Sequence, residues 1–127
     1  MVWLSVLVGG ALGSGARHAV NIGAARFFGG PSALGTAAVN LIGSFVIGAL
    51  AGALAAHRLA MSTHLRVFVF IGILGGFTTF SSLMLDSLVL AERDVGRAAV
   101  NMAGQVVIGF GLVWLGYWLG LHARLSR

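Results

Sequence analysis

The chain has 127 residues, of which 58% are hydrophobic and 9% charged, and its mean hydropathy is +0.99. That balance excludes an ordinary water-soluble globule, in which about a quarter of the residues are charged. The net charge of +5 would suit nucleic acid, but the basic residues are scattered singly and form no stripe, so no nucleic-acid partner is expected. The absence of cysteine excludes disulfides and thiolate metal sites. All eight basic residues are arginine, which removes the lysine of a phosphate loop or a Schiff base.

Apolar residues fall in four runs, each close to what a helix needs to cross a hydrocarbon core of roughly 30 Å. The first starts at Val2 with no basic segment before it and no small-residue cleavage pattern, and reads as a span, not a signal peptide. From Val2 to Ala16 a helix rises only about 22 Å, so the span is expected to cover residues 2–25, with Arg17 near one membrane face. Gly29, Gly30 and Pro31 break the chain before a second run, 35–56, whose only polar members are Thr36, Asn40 and Ser44. A polar turn holding His57, Arg58, Ser62, Thr63, His64 and Arg66 precedes the third run, 67–91. The middle of that run reads Gly75-Gly76-Phe77-Thr78-Thr79-Phe80-Ser81-Ser82, where two glycines and four hydroxyls weaken the helix near mid-membrane depth. Glu92, Arg93, Asp94 and Arg97 form a loop, 98–121 is the fourth run, and His122, Arg124, Ser126 and Arg127 end the chain. The expected architecture is a single all-α integral membrane domain of four transmembrane helices with a broken third helix.

Four spans place Arg58, Arg66, Arg124 and Arg127 on one side and Arg17, Arg26, Arg93 and Arg97 on the other. With four arginines against four, the charge bias that sets orientation is zero. Either the chain inserts both ways, or helix one and a few residues near the span ends decide. Glycine pairs at four-residue spacing (Gly9 and Gly13, Gly48 and Gly52, Gly72 and Gly76, Gly116 and Gly120) read as close helix packing. So small a bundle has little interior of its own. A pathway through it would be walled by two subunits, related in opposite orientation by a two-fold axis in the membrane plane.

Asn40 and Ser44 share one face of helix two, Asn101 and Gln105 one face of helix four, and Thr79, Ser82 and Asp86 one stripe of helix three. Hydrogen bonds between membrane helices contribute only about 0.6 kcal/mol on average, so two amides on one helix point to a hydrated pathway more than to helix-to-helix bonding. No carboxylate lies deep in a span, since Asp86 falls about two turns past the break, and proton coupling is disfavoured. Enzymatic chemistry is not expected. No histidine pair has metal-ligand spacing on an embedded face, no serine has a nearby histidine and acid, and the histidines lie near span ends.

Three blocks carry a family resemblance. Gly9-Gly10-Ala11-Leu12-Gly13-Ser14-Gly15-Ala16-Arg17 resembles the GGxxGAxxR element of the CrcB or Fluc family of small fluoride channels. Gly35-Thr36-Ala37-Ala38-Val39-Asn40-Leu41-Ile42-Gly43-Ser44-Phe45 resembles their GTxxVNxxGSF, and residues 75–82 their GGxTTFST. The resemblance implies a dual-topology antiparallel homodimer in the cell inner membrane that lets cytoplasmic fluoride out by passive permeation. It also implies a structural sodium ion held by the backbone carbonyls of Gly75 and Thr78. The implied fluoride pathway follows Asn40, Ser44, Thr79, Phe80, Ser81, Ser82, Leu83, Asn101 and Gln105. Asn40 would donate to the ion and Phe80 would turn its positive ring edge toward it. Arg17 would either raise the anion concentration in the vestibule or anchor the helix at the interface.

The chain departs from the pattern at three positions. Leu83 stands where the family has a second Phe. With helix four aligned on Gly109 and Gly116, Asn101 and Gln105 stand where Tyr and Ser are usual. Either these amides replace the missing ring edge, or Leu83 only packs and the amides bond neighbouring helices. A small multidrug-type dual-topology transporter shares the size and topology but needs a buried Glu in helix one, which has no acid. A non-transporting scaffold would gain nothing from a disrupted helix.

Overall fold

The described residues of the computed structural model are 2–30 and 32–123; Pro31, Arg124, Ser126 and Arg127 lie outside them. They are helical, with no strand among them. Helix α1 (Val2–Phe28) outruns the apolar stretch that predicts it and carries Arg26 in its last turn, where a cation meets the negative end of the helix dipole. Helix α2 (Ala33–Ala55) starts at Ser32, whose extended backbone lets its Oγ accept the Leu34 N–H at 3.1 Å. At its other end His57 takes the left-handed conformation (φ 53°), and Arg58 N–H turns back to Ala53 O at 3.0 Å. Glycine ordinarily fills such a terminating position.

Ser62 caps α3 (Thr63–Arg66), which runs into a π-helical stretch, Val67–Leu74, and then α4 (Gly75–Phe77). Thr78 and Thr79 are extended, with ψ of 158° and 116°, before α5 (Phe80–Ala91). Helix α6 (Val95–His122) begins at Asp94, whose Oδ1 accepts from Gly96 N at 2.8 Å and Arg97 N at 3.2 Å. The helices therefore begin at their caps, a few residues before the apolar runs do. Hydropathy marks the membrane and caps mark the helix.

Three helical units are long and apolar enough to cross a membrane: Ala33–Ala55, Thr63–Ala91 and Val95–His122. Helix α1 has comparable length, but Arg17, His18, Asn21 and Arg26 keep it out of that set. Side-chain burial is sparse. Val39, Leu74, Leu83 and Ala98 are the buried apolar side chains among the described residues, while Trp3, Phe27, Phe80, Val100, Phe110 and Trp114 face outward. A water-soluble fold of this size could not expose so much apolar surface; a lipid or partner surface accounts for it.

Glycine brings the backbones together. A Cβ on Gly9 would meet Phe68 O at 2.5 Å and Gly72 Cα at 2.9 Å, so α1 lies directly on the π-helical stretch. Gly48 and Gly52 of α2 seat the carbonyls of Val113 and Tyr117, and Gly116 and Gly120 of α6 seat those of Phe45 and Ala49. The four-residue spacing thus serves packing.

Candidate functional site

Asn40 of α2 faces the extended backbone of Thr79 and meets it at two points. Thr79 N–H donates to Asn40 Oδ1 at 2.8 Å, and Asn40 Nδ2 donates back to Thr79 O at 3.0 Å. The side-chain amide therefore does what a neighbouring strand would do for an extended residue, satisfying both backbone groups at the break. The second hydrogen of Asn40 Nδ2 goes to Gln105 Oε1 at 2.8 Å. Gln105 Nε2 donates to Asn101 Oδ1 at 3.0 Å, and Asn101 Nδ2 to Ser87 Oγ at 2.9 Å. Ser44 Oγ donates to Asn40 O at 2.7 Å, one turn back on its own helix.

The break takes the ordinary helical partners from several carbonyls, those of Gly75 and Thr78 among them. In a continuous helix Gly75 O would accept from Thr79 N and Thr78 O from Ser82 N. Thr79 N goes to Asn40 instead, and Ser82 N goes to Thr79 Oγ1 at 3.3 Å. Thr78 is held from the other side, its N and Oγ1 both donating to Leu74 O at 3.0 Å. Gly43 makes room for it, since a Cβ there would run into Thr78 Cγ2.

These groups line a cavity of about 530 Å³ between α2, the third helical unit and α6. The cavity brings together Asn40, Ser44, Gly75, Thr78, Thr79, Phe80, Leu83 and Gln105. Leu83 is 4% exposed and Phe80 is 70% exposed, so one forms the cavity's inner wall and the other its outer rim. Asn101 lines a separate cavity of about 600 Å³ with Asp94, Arg97 and Leu90, and the Gln105–Asn101 bond joins the two. Ser81 and Ser82 border neither cavity; Ser82 Oγ accepts from Thr79 Oγ1 at 3.0 Å. Arg17 is half-buried on α1, one turn from Gly13 on the side that faces Ile73 and Phe77.

Some participants were not singled out by sequence reasoning. Ser87, 3% exposed, ends the amide chain, and Phe70, Val106 and Phe110 complete the cavity rim. A clue to Ser87 was present: it lies one turn beyond Leu83 and is the hydroxyl residue nearest Asp86. Asn21 Oδ1 and Asp86 Oδ2 are both buried without a hydrogen-bond partner.

Membrane-length apolar helices around an amide-lined cavity define a multi-pass membrane protein. The chain belongs to the family described as CrcB-like protein, Camphor Resistance (CrcB), which it matches over residues 4–117. It is 44% identical over 123 residues to the fluoride-specific ion channel FluC 2 of Nitrobacter hamburgensis, covering 96% of this chain and 98% of that protein. It is also 44% identical over 117 residues to the fluoride-specific ion channel FluC of Mesorhizobium japonicum, covering 91% and 93%. Against the FluC of Allorhizobium ampelinum it is 45% identical over 116 residues, covering 91% and 92%. These relatives are named as channels, a function without chemical turnover.

Proposed function

We propose that this chain forms a fluoride-selective channel through which cytoplasmic fluoride leaves passively across the inner membrane. The observation that carries the proposal is the meeting of Asn40, Gln105, Thr79 and Phe80 in one cavity, in a chain akin to proteins named fluoride-specific channels. Helix α1 serves as the fourth span, since its 27 residues rise about 40 Å. The third span is broken at Thr78 and Thr79.

The pathway follows Asn40, Ser44, Thr79, Phe80 and Leu83, with Ser81 and Ser82 behind the break and Gln105 and Asn101 along α6. A small hard anion that leaves water needs N–H, O–H or ring-edge contacts in exchange. Asn40 Nδ2 supplies one such donor when the ion takes the place of Gln105 Oε1, and Phe80 presents a ring edge at the open rim of the cavity. None of these groups carries a charge, so the ion is not trapped. Arg17 gathers anions at the mouth, a role supported by its half-buried position on the inward side of α1.

Because Phe80, Val106 and Phe110 leave the cavity open on an apolar face, a second antiparallel copy completes the wall. The carbonyl oxygens of Gly75 and Thr78, released from their helical partners, fit a hard cation. Two carbonyls from one chain are too few for such an ion, and two from the partner would double the set. A sodium ion held there would supply fixed positive charge beside the anion path.

Fluoride efflux from liposomes containing the purified protein tests the proposal, with chloride efflux as control. Fluoride should leave within the dead time of an electrode while chloride stays inside; equal retention of both ions would overturn it.

A further inference from the structure

The orientation of a side-chain amide is ordinarily a free choice between two flips, but here one backbone residue removes that choice three times over. Thr79 N–H can only donate and Thr79 O can only accept. Asn40 must therefore turn Oδ1 to the first and Nδ2 to the second, at 2.8 and 3.0 Å. Its remaining N–H needs an acceptor, so Gln105 must present Oε1. Gln105 Nε2 then faces Asn101, which must present Oδ1, and Asn101 Nδ2 is left to face Ser87 Oγ. Apart from the bond that Asn40 Nδ2 returns to Thr79 O, the bonds run in one direction, from Thr79 through Asn40, Gln105 and Asn101 to Ser87.

Direction has a chemical consequence. Each of the three amide oxygens already accepts a hydrogen bond from the link before it. Gln105 Nε2 and Asn101 Nδ2 each keep one N–H beyond the bond that each donates, whereas Asn40 Nδ2 has spent both and gains a free one only when an ion displaces Gln105 Oε1. Amides are normally both donors and acceptors. In this chain each amide oxygen is engaged by the link before it, and Gln105 and Asn101 each hold one N–H free.

We propose that Asn40, Gln105 and Asn101 act as one directed amide chain, anchored on the Thr79 backbone, that presents N–H donors to an anion along α6. Asn101 is then a positioning residue for the break as well as a donor, although it bonds to neither Asn40 nor Thr79. The inference rests on the channel reading for its flux readout and adds to it the coupling between residues that do not touch. Hydrogen bonds in a row polarise one another, which strengthens the chain and ties its ends together.

A double-mutant comparison tests it, read as fluoride efflux from liposomes and normalised to assembled protein. Asn101→Leu and Gln105→Leu should each lower efflux about tenfold, as expected for a buried network left with unpaired groups. Because Asn101 works in part through Gln105, the double variant should be slower than Gln105→Leu by less than the factor that Asn101→Leu costs alone. Losses that multiply would overturn the coupling. Gln105→Glu should behave as Gln105→Leu does, since an ionised carboxylate can accept from Asn40 but has no N–H for Asn101. Amide hydrogen exchange at Thr79 gives a readout that does not depend on flux. Asn101→Leu should speed exchange there several-fold, and exchange at the unmodified rate would overturn the positioning role. Wild-type protein without fluoride efflux would instead count against the channel reading itself, with the exchange result still standing.

Discussion

Helices α2 and α6 meet at two places built from opposite materials. Toward the C-terminal ends of both, Gly48, Gly52, Gly116 and Gly120 let each backbone receive the other's carbonyls, and nothing larger than a hydrogen fits. Toward their N-terminal halves the same two helices are joined by Asn40 and Gln105 at 2.8 Å beside a cavity of about 530 Å³. The glycine end gains dispersion and close backbone approach, the strongest association available where lipid competes equally for apolar side chains. The amide end gives up that density for space and donors. One helix pair can hold both because the rigid end fixes the geometry that the open end needs.

The largest effect is expected at the glycine end. Gly116→Val would push a side chain onto the Phe45 carbonyl and within 2.9 Å of Ala49 N, so the helices must separate. We expect about 3 kcal/mol or more of destabilisation and loss of assembled protein by size-exclusion chromatography, with flux lost alongside it. Normal assembly of Gly116→Val would erase the distinction between the two ends.

At the amide end the expectation is reversed, with the protein assembled and the flux gone. Asn40→Asp removes both donor bonds, leaving the carboxylate against Thr79 O and Gln105 Oε1, and places negative charge on the proposed anion path. Efflux should fall about a hundredfold or more in protein that still assembles and elutes normally. Retained efflux would move the pathway away from α2.

A smaller and recoverable effect concerns which membrane face each end occupies. The proposed four-span arrangement puts four arginines on either side, so adding two or three to one loop should hold all copies in a single orientation and impair efflux. Co-expression of two oppositely biased variants should restore it. A topology reporter showing one orientation for the unmodified protein would contradict the proposed antiparallel arrangement.

The smallest change is expected where the two materials meet. Leu83 is buried yet borders the cavity, so Leu83→Phe can turn its larger ring into open space. We expect less than about 1.5 kcal/mol of destabilisation and efflux equal to or above that of the unmodified protein. A strong loss of efflux would mean that Leu83 is packed too tightly to be part of the wall.

Much of the architecture was legible residue by residue. The apolar runs announced membrane-length helices, and the two glycines and four hydroxyls of residues 75–82 singled out the stretch that contains extended Thr78 and Thr79. The caps were harder to see. Ser62 and Asp94 are polar residues outside the apolar runs, and hydropathy alone assigns them to loops although each begins a helix. The π-helical stretch Val67–Leu74 has no local signature at all, being a plain run of Val, Phe, Ile, Gly and Leu.

Hydropathy and helical period are properties of neighbours in sequence, and so the sequence by itself determined that this chain is helical, suited to lipid, and polar on particular faces of α2 and α6. Which amide bonds which was decided only by the tertiary structure, because the partners lie 39 residues apart for Asn40 with Thr79 and 65 apart for Asn40 with Gln105. The same holds for the direction of the chain of hydrogen bonds, since an amide in sequence has no preferred flip until a backbone group with a fixed role, here Thr79, is brought against it.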